Sequence, residues 1–184
     1  ENLQLFLDGT LNSLALLLVS LVVGGVFSLP LAVARVSQRA WLRGPVWLFT
    51  YVLRGTPLLI QVYLIYYGLG QMEYIQARWD DSFIWRGFKE PFFCAALAFA
   101  LNTCAYTTEL LAGALRDVPP GEIGAARACG LSPWACLRRI TLPSALRRSL
   151  PGYSNEVIMM LHSTSLASAV PALLDITGAA RSIY

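Results

Sequence analysis

The sequence predicts an all-α protein that crosses a lipid bilayer several times. Of its 184 residues 56% are hydrophobic and only 14% are charged, and the mean hydropathy is +0.55. Soluble globular domains carry about 25% charged residues. The apolar residues also form long runs, and most arginines lie in two polar stretches between them. This distribution predicts a single transmembrane domain over residues 1–184, built from apolar helices and polar loops.

The first predicted span is a run without any charged residue between Gly9 and Ala34. About 20 apolar residues suffice to cross the hydrocarbon core, so this run can cross it with some tilt. Three arginines follow directly, which places this end in the cytoplasm, because positive residues concentrate on that side. Residues 41–51 carry tryptophan and tyrosine, and we expect them to lie at headgroup depth rather than to cross.

The second predicted span is short and begins at an unusual turn. Gly55 permits a backbone conformation that other residues avoid, and Pro57 presets the first helical turn. Arg54, just before them, can pair with lipid phosphate or with neighbouring carbonyl groups, or it can serve as a plain anchor at the helix start. Residues 72–90 then carry both signs of charge and predict an external loop on the membrane surface.

The third predicted span has a polar face. Asn102, Tyr106 and Glu109 share this face, since they are spaced four and three residues apart. A carboxylate at membrane depth is costly unless it faces protein or water. Glu109 therefore faces protein or water rather than lipid, or it lies near the cytoplasmic end and pairs with Arg116 or another arginine of the loop. Both interpretations stay open.

The fourth predicted span is the most polar of the set. Glu156 and Ser163 share one helical face, because they are seven residues apart, and Asn155 lies on the adjacent face. Together the four spans are predicted at about residues 9–35, 55–70, 91–116 and 150–174.

Between the third and fourth spans, residues 121–143 form a polar, arginine-bearing interruption. Residues 122–129 predict a short helix with a carboxylate in its first turn, and Gly130 predicts a left-handed cap at its end. A second helix should begin at Ser132, which is followed by a proline, and Pro143 should mark the next boundary. The segment is too polar to enter the membrane, so we predict a helix-turn-helix contact surface in the cytoplasm.

The distribution of charge predicts the orientation of the chain. Residues 35–54 and 116–148 hold ten arginines and two acidic residues, whereas the stretches assigned to the outside hold seven acidic residues, three arginines and one lysine. The N-terminus should therefore be periplasmic and residues 121–143 cytoplasmic. Four spans would leave the chain outside, so we expect a fifth helix after Tyr184 and interpret the chain as C-terminally incomplete.

No nucleotide-binding, hydrolytic or metal-binding motif is recognisable in the sequence. The four cysteines form no C-x-x-C pair, and we expect them to be reduced packing residues. The net charge of +3 gives no indication of a nucleic-acid partner. We therefore expect no catalytic residue, no metal and no cofactor in this chain, and a partner must supply the energy for any active transport.

Three stretches resemble permeases of ABC importers. Residues 124–143 follow the spacing of the EAA loop of that family, with Ala-Ala, Gly and Ile-x-Leu-Pro in place and Gly124 where the family has an acidic residue. The motifs RGTPLLIQ at residues 54–61 and PGYSNEVIMMLHSTSL at 151–166 are similar to segments of the polar amino acid uptake subfamily. The resemblance covers nearly the whole chain and is closest to the M-type membrane subunits of histidine, lysine, arginine and ornithine importers.

The resemblance implies a type I importer transmembrane domain of the MetI-like fold in the bacterial inner membrane. Its partners would be a second homologous permease subunit, two ATP-binding cassette subunits that hold ATP and Mg²⁺, and a periplasmic amino acid binding protein. Residues 121–143 would be the loop that couples the permease to the ATPase. The residues expected to make this contact are Glu122, Gly124, Ala125, Ala126, Gly130, Leu131 and Trp134.

The implied substrate is a polar, basic L-amino acid, and the fourth span supplies the candidate site. We expect Glu156 to face a central cavity and neutralise the cationic side chain or the α-amino group, because a carboxylate in a low-dielectric path attracts a cation more strongly than in water. Alternatively, Glu156 and Asn155 hold the permease dimer together. The candidate substrate-binding residues are Glu156, Ser163, Thr164, Tyr106 and Asn155.

Two other classes of function stay open on the residues alone. An ion-coupled secondary transporter would not need residues 121–143 to contact an ATPase, and removal of the ATPase would leave its transport intact. A non-transporting membrane assembly subunit would need no polar face in its fourth span, and substitution of Glu156 would affect assembly alone.

Overall fold

The computed structural model describes residues 2–69, 72–77 and 86–169. All regular structure in these ranges is helical, as the sequence predicts. The helices are α1 (Asn2–Arg35), α2 (Ala40–Gly55), α3 (Leu58–Tyr63, continued as π-helix over Leu64–Leu69), α4 (Glu73–Gln76), α5 (Pro91–Arg116), α6 (Pro120–Ala128), α7 (Pro133–Cys136, continued as π-helix over Leu137–Thr141) and α8 (Leu142–Ser163, followed by the 3-10 turn Thr164–Ala169).

The central helix of the described structure is α5, which contacts α1, α2, α3 and α8. Glycines allow close contacts, because residues without a side chain let helix backbones approach each other in a membrane. A Cβ atom at Gly24 of α1 would lie 2.8 Å from the Ala100 carbonyl oxygen of α5. One at Gly152 of α8 would lie 2.6 Å from a methyl group of Leu110. Both helices therefore pack closely against α5, and a larger residue would push α1 away at Gly24 but would displace the Leu110 side chain at Gly152.

Within the described ranges, two helices are long and apolar enough to cross a membrane alone, Phe6–Arg35 and Pro91–Arg116. They coincide with the first and third predicted spans. The segments Ala40–Gly55 and Leu58–Leu69 are apolar enough together, but they are bent by 105°. The second predicted span thus corresponds to the second arm of a bent helix pair, and residues 41–51 belong to the first arm, α2.

The helix that carries the fourth predicted span starts well before that span. It begins at Leu142 rather than near residue 150, and its first turns include Arg147 and Arg148. Pro143 does not break it and lies directly after the π-helical turns, in the first turn of α8. The predicted boundary there is a change from π-helix to α-helix. The last part of the predicted span, residues 170–174, lies outside the described residues.

Residues 121–143 form the predicted pair of short helices. Gly130 has a φ of +79°, which is the left-handed cap expected after α6. The Ser132 hydroxyl accepts a hydrogen bond from the Ala135 N–H at 3.3 Å and so caps α7. Helix α7 does not end at Pro143, because its π-helical continuation runs directly into α8. The 121–143 loop and α8 are therefore joined by uninterrupted helix.

Candidate functional site

A polar cavity of about 610 Å³ lies where the bend between α2 and α3 faces α5 and α8. Four of the five candidate substrate-binding residues line it, and they come from two different helices. The full set of lining residues is Arg54, Gly55, Thr56, Pro57, Leu58, Asn102, Tyr106, Asn155, Glu156, Met159, Met160 and Ser163.

The fifth candidate, Thr164, does not line this cavity. Its side chain is buried, and its hydroxyl donates a hydrogen bond to the Leu161 carbonyl at 2.7 Å. The Ser163 hydroxyl likewise donates to the Met159 carbonyl, at 2.9 Å. Its proton is thus engaged within α8, but its oxygen retains lone pairs that can accept a hydrogen bond from a cation in the cavity.

The side chain of Gln61 holds the bend that forms one wall of the cavity. Its amide nitrogen donates to the Leu53 carbonyl at 2.7 Å, and to the Thr56 carbonyl and hydroxyl at 3.0 and 2.9 Å. Carbonyl groups at a helix end have no partner in the helix and need one from elsewhere when they are buried. Gln61 therefore supplies the hydrogen bonds that the break between the two helices removes.

Asn102 connects this bend to the central helix. Its amide nitrogen donates to the Gln61 side-chain oxygen at 3.3 Å, and both side chains are buried. Sequence reasoning recognised the polar face of Asn102 and the resemblance that includes Gln61, but not their contact. The contacts of Gln61 with the carbonyl groups that end α2 could have been predicted, because Gln61 lies in the first helical turn after Pro57 and is within reach of them.

Arg54 lies on the cavity wall beside Tyr106. Its guanidinium carbon is 5.2 Å from the centre of the Tyr106 ring, within the range of a cation–π interaction. The Tyr106 hydroxyl donates to the Arg54 carbonyl at 3.5 Å. This placement favours a specific role for Arg54 over a plain anchor at the helix start.

Glu156 lines the same cavity as Arg54 but forms no ion pair with it. Within the described part of the chain, the Glu156 carboxylate has no hydrogen bond and no salt bridge. The cavity therefore presents one carboxylate and one guanidinium to a common space. Such an arrangement can bind a zwitterion, with its ammonium group toward Glu156 and its carboxylate toward Arg54.

Glu109 is the second acidic residue of the predicted spans, and its surroundings are different. It accepts hydrogen bonds from Arg35 at 2.6 Å and from Thr50 at 2.7 Å. Glu109 thus faces protein and lines a cavity with Arg54 and Glu156, as the first interpretation expects. It also pairs with an arginine, as the second expects, but the partner is Arg35 and not Arg116 or another arginine of the loop. Glu109 is thus neutralised by the protein, whereas Glu156 remains available to a ligand.

The candidate coupling residues are distributed over the surface and the interior of the 121–143 loop. Trp134 is 69% exposed, and Gly124, Ala125 and Gly130 are also exposed. Ala126 is buried, and Leu131 is intermediate. The Glu122 carboxylate accepts a hydrogen bond from Arg148 of α8 at 3.3 Å. The loop therefore exposes a tryptophan and several small residues, and its Glu122 side chain is tied to α8.

Comparison with known proteins gives a consistent result. Residues 11–173 match the family described as binding-protein-dependent transport system inner membrane component. The histidine/lysine/arginine/ornithine transport system permease protein HisM of Escherichia coli (strain K12) is 51% identical over 170 residues, which is 91% of this chain and 70% of that protein. The octopine transport system permease protein OccM of Rhizobium meliloti is 46% identical over 180 residues, 98% of this chain and 71% of that protein.

The fold is also similar to that of a solved transporter. The structure described as an amino acid ABC transporter with histidines superposes with a TM-score of 0.80 at 29% sequence identity. The superposition covers 98% of this chain and 78% of that one.

Proposed function

Since the chain belongs to the family of binding-protein-dependent transport system inner membrane components and is a permease subunit of an ABC amino acid importer, we propose that its substrate is a basic L-amino acid bound at Glu156. The relative from Escherichia coli is named for histidine, lysine, arginine and ornithine. These four amino acids share an α-amino group, an α-carboxylate and a side chain that can carry a positive charge.

The observation that carries this proposal is the unpaired Glu156 carboxylate in the cavity of about 610 Å³. Glu156 is half-buried, and a charge withdrawn from water is costly unless it is paired, so its unpaired carboxylate in a transport protein favours a cationic ligand. Ser163 can accept a second hydrogen bond from the same cation, and Tyr106 and Asn155 offer neutral polar groups beside it. Arg54 at the opposite wall suits the α-carboxylate.

The 121–143 loop is the proposed contact for a partner ATPase in the cytoplasm. Its Trp134, Gly124 and Ala125 are exposed, and an exposed tryptophan is suited to a groove of another protein. Because the loop continues as helix into α8, a displacement of α6 and α7 would reach Glu156 through α8. ATP and Mg²⁺ would be held by that ATPase, and a second permease subunit and a periplasmic binding protein would complete the importer.

Uptake into proteoliposomes that contain the complete importer tests the substrate assignment. We expect Glu156→Gln to lower the uptake of arginine or histidine by about tenfold or more, since one well-placed charge pair in a partly buried site is worth that much. Glu90→Gln is the matched control, because Glu90 is an exposed acidic residue just before α5 and outside the cavity. Uptake and substrate-stimulated ATP hydrolysis that remain unchanged in a folded Glu156→Gln complex would exclude the assignment.

A further inference from the structure

A basic cleft lies at the start of α8, away from the substrate cavity. Its volume is about 500 Å³, and its charged lining residues are Glu122, Arg139, Arg147 and Arg148. Arg148 is engaged, because it donates to Glu122 at 3.3 Å and to the Ser144 hydroxyl at 3.4 Å. Within the described residues, Arg139 and Arg147 have no acceptor. The cleft therefore contains two guanidinium groups whose charge is not balanced.

An apolar groove adjoins this cleft. It has a volume of about 360 Å³ and lies between α1, α5 and α8, where Leu29, Leu111, Leu146 and Leu150 line it. Arg147 lines the groove as well as the basic cleft. The two cavities thus meet at one arginine side chain, with positive charge on one side of it and aliphatic surface on the other.

We propose that the basic cleft and the apolar groove form one site for an anionic phospholipid. The phosphate group would lie between Arg139 and Arg147, since guanidinium groups bind phosphate with paired, charge-assisted hydrogen bonds. An acyl chain would follow the groove past Leu146 and Leu150. An amphiphile fits both cavities, whereas a free phosphate ion would leave the groove unfilled and a neutral lipid would leave the arginines without an anion.

The position of the site along α8 supports this occupant. Arg147 and Arg148 lie in the first turns of α8, and the flanking Leu146 and Leu150 line the apolar groove, so Arg147 lies where a basic surface meets an apolar one. Basic pockets between helices at the cytoplasmic surface attract anionic headgroups. The site does not depend on the role of Glu156, which lines a different cavity.

Native mass spectrometry of the importer complex in mixed phosphatidylglycerol and phosphatidylcholine nanodiscs tests the proposal by counting retained lipids. We expect Arg139→Gln and Arg147→Gln each to lower the retention of phosphatidylglycerol roughly fivefold, and the double variant to lower it further. The matched control is the double variant Arg43→Gln and Arg138→Gln, which loses the same charge outside the cleft and should retain the lipid. Equal retention in the cleft and control variants would overturn the proposal.

Two further arms distinguish other occupants. Leu150→Asn places a polar group in the apolar groove, so it should weaken the retention of phosphatidylglycerol if an acyl chain lies there. In the second arm, soluble glycerol phosphate should not displace the lipid. Displacement by glycerol phosphate, with no effect of Leu150→Asn, would identify a free phosphate site and contradict the proposal. Loss of the ATPase subunit from the Arg139→Gln and Arg147→Gln complexes, with unchanged phosphatidylglycerol, would instead assign the cleft to an acidic protein surface and also contradict it.

Discussion

The Arg35 guanidinium group donates a hydrogen bond to the Glu109 carboxylate across 2.6 Å, which joins the last turn of α1 to α5. Thr50 of α2 donates to the same carboxylate oxygen at 2.7 Å, so one oxygen atom connects three helices. Both charged side chains are only 15% exposed. The pair therefore holds α2, and the bend that follows it, against the two helices that are long enough to cross a membrane.

Glu109→Gln should destabilise the protein strongly, because it leaves the Arg35 charge without a partner in a poorly solvated place. We expect a loss of about 3 kcal/mol in the free energy of unfolding, measured by denaturant titration in detergent micelles. The matched control is Glu122→Gln. The side chains of Glu122 and its partner Arg148 are 38% and 44% exposed, so this substitution should lower the free energy of unfolding by less than about 1 kcal/mol. Equal losses in the two variants would show that the Arg35–Glu109 pair has no special structural role.

Gln61→Met tests the hydrogen bonds that support the bend. Methionine is similar in length but cannot donate, so the Leu53 and Thr56 carbonyls would lose their partner at a cost of about 1–3 kcal/mol. Because the bend forms a wall of the substrate cavity, we expect the KM for uptake to rise about tenfold. Gln38→Met, an exposed substitution between α1 and α2, should leave the KM unchanged. A normal KM in Gln61→Met would mean that packing alone holds the bend, since the variant also removes the acceptor of the Asn102 hydrogen bond.

The close contact between α1 and α5 predicts opposite effects for two glycine substitutions. Gly24→Ala would bring a Cβ atom 2.8 Å from a backbone oxygen of α5, so the helices would have to separate, at a cost of about 1–3 kcal/mol. Gly113→Ala introduces a methyl group with nothing within 4 Å, and should stabilise α5 by up to about 1 kcal/mol because alanine favours helix. Thermal unfolding in detergent measures both, and changes of the same sign would contradict the packing described.

Much of the fold could be predicted from local features of the chain. The first and third spans were identified by the length of their apolar runs, and two helices of the right length and composition occupy those positions. The cap at Gly130 and the capping hydroxyl of Ser132 were also predictable, since each depends on the chemistry of one residue and its nearest neighbours. Helical periodicity likewise placed Glu156 and Ser163 on one face, and both line the cavity.

Other features could not be predicted because they depend on distant contacts. The 105° bend between α2 and α3 follows from packing against α5, although Gly55 and Pro57 mark its position. Thr164 was expected in the site beside Ser163, yet it starts the 3-10 turn after α8, and its buried side chain does not line the cavity. The choice of Arg35 over Arg116 as the partner of Glu109 required knowledge of which helix ends meet.

The lengths of the apolar runs, the distribution of charge and the capping residues were sufficient to define a helical membrane domain with a polar loop. Each of these properties can be read from the sequence without knowing which helices are in contact. The pairing of Glu109 with Arg35 joins residues 74 positions apart, and that of Asn102 with Gln61 joins residues 41 positions apart. Only the packing of the helices against α5 selects these partners. The same packing places Glu156 in the cavity with Arg54, where its carboxylate has no hydrogen bond and no salt bridge within the described residues.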